Sequence, residues 1–116
     1  MTPTTPNWIQ AARQLLLSRQ IDNLEIDSLV PQGKIKYQFS AHGHELAQVL
    51  LAQALDHPHD AATVYYRSRP FVLASGLSPT AALAAGMARA AGPTLGRDVG
   101  VMFNLPSRGG ITIFPT

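Results

Sequence analysis

From Trp8 onward, apolar residues recur at spacings of three and four. Trp8, Ile9, Ala12, Leu15, Leu16 and Leu17 fall on one side, with Asn7, Gln10, Arg13, Gln14 and Arg19 on the other. The pattern predicts an amphipathic helix that starts at Thr5-Pro6, a capping hydroxyl followed by proline, and ends between Gln20 and Leu29. Pro31-Gln32-Gly33 breaks the chain, and the polar-apolar alternation of residues 34–39 predicts a short extended segment. Helical spacing returns at Glu45, Leu46, Val49, Leu50, Ala54 and Leu55, with Ser40 as its predicted cap, and stops at His57-Pro58-His59-Asp60. A third helix is predicted over residues 63–74, distorted at Pro70 and closed by Gly76. Ser78-Pro79 announces a fourth, whose small residues Ala81 to Ala91 allow close packing on more than one side before Gly92-Pro93 ends it. Beyond Gly92 the glycines and prolines predict a long irregular loop. Residues 111–114 form the one strand-like run there, with residues 34–39 as its candidate partner.

The chain therefore reads as a single segment over residues 1–116: a polar lead over about 1–5, a helical body over 6–92, and a Gly/Pro-rich loop with a terminal strand over 93–116. The predicted class is mainly α with one or two short strands. Charged residues make up only 14% of the chain, against the roughly 25% usual for soluble domains. A surface so short of charge is expected to be covered by further polypeptide. The pI of 9.4 rests on a net charge of only +2, too small a field to argue for nucleic acid. Without cysteine the chain has no disulfide, thiolate metal site or cysteine nucleophile. No apolar run is long enough to span a membrane and the first residues lack export-signal character, so the expected location is cytoplasmic.

The four histidines form two pairs, His42 with His44 and His57 with His59, and neither pair has an evident third metal ligand. Glu45 suits the first turn of the second helix as a capping carboxylate. Ser75 lacks the flanking glycines of a nucleophile elbow, and neither Lys34 nor Lys36 follows the glycines of a phosphate loop. Tyr65-Tyr66-Arg67 is the richest constellation. A guanidinium offers paired donors to phosphate oxygens, a phenol can donate beside it, and Arg69 is near enough to help hold a diphosphate. The alternative is that both rings are core side chains and both arginines face solvent. On the residues alone, that alternative is the more ordinary behaviour of such side chains.

Residues 43–97 carry an ordered set of motifs: Gly43-His44-Glu45, a helix of Val, Ala and Leu, Tyr66-Arg67-Ser68, Gly76-Leu77-Ser78-Pro79 and Gly96-Arg97. The set resembles the N-terminal part of the alpha subunit of thiamine-diphosphate-dependent 2-oxo acid dehydrogenases, of the branched-chain (2-oxoisovalerate) type. The resemblance implies the leading segment of an α/β thiamine-diphosphate-binding fold. It also implies that Tyr66 and Arg67, with Tyr65 beside them, contact the cofactor's diphosphate. Oxidative decarboxylation of a 2-oxo acid, with acyl transfer to a lipoyl partner, is the activity implied. The implied partners are the beta subunit or the rest of the same enzyme, and the lipoyl acyltransferase of a larger complex, with no nucleic acid and no membrane.

Four departures accompany the likeness. Ser68 stands where the family carries an acidic residue, and Met102 where it carries a histidine near the reacting centre. Phe114-Pro115-Thr116 replaces a serine-rich, cation-binding loop. The Gly-Asp-Gly segment and its following asparagine, which hold magnesium against the diphosphate, are not in the sequence. The chain is thus expected to be an incomplete portion, inactive alone. The alternative is a non-catalytic interaction module that packs on a partner through the helix at residues 81–91.

Overall fold

In the computed structural model, residues 5–98 and 112–115 are described, the last two without their side chains. The order is α1 (Trp8–Leu24), a π-helical turn (Glu25–Leu29), α2 (Glu45–Ala54), β1 (Ala61–Val64), α3 (Arg69–Ala74), α4 (Pro79–Gly86) and β2 (Thr112–Pro115). The class is mainly helical with two short strands, as the sequence predicts. Met102 and most of the expected Gly/Pro-rich loop lie outside the described residues.

α1 starts later than predicted. Its cap is Asn7, whose side chain accepts from Gln10 N at 3.0 Å, not Thr5. The face that α1 buries is also not the predicted one: Ala11, Ser18, Ile21 and Asp22 are buried, while Trp8, Ile9 and Leu16 are 59%, 71% and 57% exposed. Apolar residues occupy both sides of this helix, so spacing alone could not choose between them. Small Ala11 and Ser18 permit the closer approach, and Asp22 finds partners there that satisfy its charge.

Residues 34–39 form no strand, although Ile35 is buried. The terminal strand pairs instead with β1, in parallel, from Ala61 opposite Thr112 to Val64 opposite Pro115. Residues 61–64 thus correct the predicted third helix, which begins only at Arg69. Pro70 does not distort it, because in the first turn its missing N–H is one that a helix leaves unpaired anyway. Ser40 does not cap α2 either. Its Oγ accepts from His42 N at 3.1 Å, and the residue before α2 is His44.

Ser78 caps α4 as predicted, its hydroxyl accepting from Ala81 N at 3.1 Å with Pro79 in the first turn. The helix stops at Gly86, short of the predicted Ala91. Ala88 turns the chain with φ 52°, and Gly92 lies against the Ala85 backbone, where a Cβ would meet Ala85 N at 2.9 Å. Ser78→Ala is expected to lower stability by about 1 kcal/mol through the lost cap. Urea unfolding would measure it, and an unchanged midpoint would show that the cap contributes nothing.

The core joins Ile21 of α1, Ala52 of α2, Val64 of β1, Phe71 and Val72 of α3, and Ala82 and Ala85 of α4, closed by Ile113 of β2. One consequence is positional. β1 runs out of this core at Val64, and the next residues are Tyr65, Tyr66 and Arg67.

Candidate functional site

The carboxyl ends of parallel strands are where open α/β sheets present side chains to ligands. Tyr65, Tyr66 and Arg67 occupy that end of β1, on the turn leading into α3. The turn is closed within itself: Ser68 N donates to Tyr65 O at 3.0 Å, and Tyr65 N donates to Ser68 Oγ at 3.2 Å. The hydroxyl of Ser68 therefore shapes the turn. Gln48 on α2 clamps it from the side, donating to Arg67 O at 2.9 Å and accepting from Phe71 N at 3.2 Å.

Neither ring is a core side chain, since Tyr65 and Tyr66 are 44% and 39% exposed. They stand edge to face, with centroids 4.8 Å apart. Phe39 covers the other flank of Tyr66 at 4.3 Å. The Arg67 guanidinium lies over this aromatic layer, its Cζ 5.6 Å from the Tyr66 ring and 5.8 Å from Phe39. Nη1 donates to Ser40 O at 2.8 Å. A planar cation fixed at one nitrogen, and backed by rings that exclude water from one face, can offer its remaining N–H groups to an anion.

Arg69 has a different place from the one expected. It is 3% exposed, donating from Nη1 to Asp22 at 2.7 Å and from Nη2 to Glu25 at 2.8 Å. It is neither a solvent-facing arginine nor a second ligand for phosphate. Asp22 also accepts from Gln38 Nε2, Ser40 Oγ and Ala41 N at 3.2, 3.2 and 2.9 Å. Glu25 accepts from the same Gln38 amide at 3.3 Å. Sequence reasoning missed this trio. Its signal was Asp22 and Glu25 three residues apart, hence on one helical face beside Ile21.

Burial pushes the Glu25 carboxyl above its ordinary value, against the opposing pull of Arg69 and Gln38. Glu45 shifts the other way. Burial would raise it, but hydrogen bonds from its own backbone N–H, from Arg19 and from Gly43 N outweigh that and hold it below the ordinary glutamate value. It is the first-turn carboxylate of α2, as predicted. A depressed folded-state value means stability that is present above the unfolded value and lost as pH falls through the folded one. Glu45→Gln is therefore expected to flatten the fall in urea midpoint below about pH 4.5. An acid limb as steep as in the parent would refute the assignment. Glu25 contributes the opposite slope: its raised value favours the fold at acid pH, and this is lost as pH rises through the folded value.

His57 and His59 contact each other edge to face at 5.0 Å, and His42 Nε2 lies 3.9 Å from Asp22. Among the described residues, no three or more His, Cys, Asp or Glu gather where they could hold a metal ion. Among them, too, no helix is long and apolar enough to cross a membrane. A cleft of about 270 Å³ opens beside the turn, lined by Leu51, Val64, Tyr65 and Phe71 with His44 and Gln48 at polar positions.

No family model matches the chain. It is 40% identical over 93 residues to the 2-oxoisovalerate dehydrogenase subunit alpha of Bacillus subtilis (strain 168), a match that spans 80% of this chain and 28% of that subunit. Over most of its length, then, the chain is similar to part of the alpha subunit of a branched-chain 2-oxo acid dehydrogenase.

Proposed function

We propose that the chain is the N-terminal portion of the alpha part of a thiamine-diphosphate-dependent 2-oxo acid dehydrogenase, and that Tyr66 and Arg67, flanked by Tyr65, contact the cofactor's diphosphate. The observation that carries the reading is the partly buried Arg67 guanidinium, held at one nitrogen by Ser40 O over the Tyr66 ring, at the carboxyl end of a parallel strand. Those residues suit the group: a diphosphate needs planar paired donors and a face shielded from water, and both are present. Once bound, the cofactor supplies the thiazolium that takes up the electrons released by decarboxylation of a 2-oxo acid.

In this reading the protein's part is to bind and to orient. Arg67 neutralises the diphosphate, Tyr66 donates beside it and limits water, and Gln48 keeps the turn in register with α2. The magnesium ligands and the groups around the reacting centre come from the rest of the enzyme or its beta subunit, and the acyl group passes to a lipoyl acyltransferase. The cysteine-free composition fits a reducing cytoplasm. The alternative, a non-catalytic module docking through its Ala-rich helix, has less support, because Ala82, Ala84 and Ala85 are already buried within this chain.

Titration calorimetry with thiamine diphosphate and magnesium tests the proposal. Negligible heat is expected from the isolated chain, and saturable binding once the remaining alpha segment and beta subunit are supplied. Micromolar binding by the chain alone would contradict the incomplete site, and no binding in the assembled enzyme would remove the cofactor reading.

A further inference from the structure

We infer that Asp22 is a positioning residue for the Arg67 guanidinium, acting through the irregular segment of residues 38–41. This rests on the reading of Arg67 as an anion ligand. The segment has no regular backbone pairing, so its shape depends on side-chain anchors. Asp22 supplies three of them: its carboxylate accepts from the Gln38 amide, the Ser40 hydroxyl and the Ala41 N–H. Two of the three groups around the Arg67 guanidinium arise from the stretch so anchored, and the third, Tyr66, belongs to the turn itself. Ser40 O takes its Nη1 proton at 2.8 Å, and Phe39 lies beneath its Cζ and against Tyr66.

The same carboxylate holds the other side of the turn. Arg69, two residues beyond Arg67, donates to Asp22 Oδ1 at 2.7 Å. Asp22 is fully buried, so it cannot meet a ligand itself. It ties the surface that backs Arg67 to the turn that carries it. A guanidinium preset in this way loses less side-chain freedom when it meets an anion.

The test reads Arg67 directly. The full chain is treated with phenylglyoxal, and modification at Arg67 is followed by peptide mass spectrometry relative to the exposed Arg13 and Arg89. Asp22→Asn and the milder Ser40→Ala are each expected to raise the relative rate at Arg67 at least threefold, under conditions where circular dichroism shows the chain folded. Ser40→Ala keeps the inference testable if Asp22→Asn does not fold. Val72→Ala, which loosens the core without touching the network, is expected to leave the ratio unchanged. An unchanged ratio in Ser40→Ala, or an equal rise in Val72→Ala, would overturn the inference. Protection of Arg67 by thiamine diphosphate in the assembled enzyme is scored separately. A missing protection alongside the expected rate changes would remove the cofactor reading and leave the positioning role intact.

Discussion

Arg69→Met is expected to cost the chain about 3–5 kcal/mol, the usual penalty for breaking a buried ion pair from one side. The substitution roughly keeps volume and removes the guanidinium shared by Asp22 and Glu25, which are both fully buried. Among the described residues, what remains is two carboxylates with hydrogen bonds but no arginine or lysine bridging them, with the His42 imidazole 3.9 Å from Asp22. Against a total stability of order 5–15 kcal/mol, such a loss leaves a small margin. The expected reading is a large drop in urea midpoint at pH 7 that shrinks on acidification, since protonating Glu25 relieves part of the strain. Adding Glu25→Gln to Arg69→Met is expected to recover part of the loss at neutral pH. A single-substitution loss below about 1 kcal/mol would mean that water or relaxation compensates the pair, and that the trio does not organise the junction of α1 and α3.

That junction is also where reading the sequence stopped short. Helix existence was legible at Trp8 and Glu45 from apolar spacing, although the caps expected there, Thr5 and Ser40, are not the ones found, and at Ser78 from its capping hydroxyl and following proline. The buried side of α1 was not, because Trp8, Ile9 and Leu16 outweigh Ala11 and Ser18 in any count of apolar residues. β1 was hidden for a different reason. Ala-Ala-Thr-Val is too short to show a period, and its partner Thr112–Pro115 lies about fifty residues further on, so only tertiary pairing makes it a strand. Once β1 exists, Pro70 falls in a first turn and its cost disappears.

The candidate site divides the same way. Tyr65, Tyr66 and Arg67 stood out because their chemistry is local and contiguous. Asp22, Gln38, Ser40 and Gln48 did not, because each acts through a partner 16 to 27 residues away or more, as Ser40 does on Arg67. Arg69 was misjudged since an arginine beside a phosphate-like motif reads as a ligand until its counter-charges are located. The supporting residues of such a site are a property of the fold.

Arg67→Ala is expected to weaken thiamine diphosphate binding by the assembled enzyme about 10- to 100-fold, because a charge-assisted hydrogen bond contributes roughly 1.5–3 kcal/mol. The comparison with Arg67→Lys decides the mechanism. An ammonium keeps the charge, but it cannot hold Ser40 O with one fixed donor while presenting others in the same plane to phosphate oxygens. Lysine is therefore expected to recover only a minor part of the loss. Tyr66→Phe removes the hydroxyl and keeps the ring that backs the guanidinium, so its effect is expected to be smaller than that of Arg67→Ala. Calorimetric titration of the assembled enzyme measures all three, with urea midpoints of the variants confirming the fold. Full recovery by lysine would reduce Arg67 to a diffuse positive charge. Unchanged affinity in Arg67→Ala would take the diphosphate away from this turn altogether.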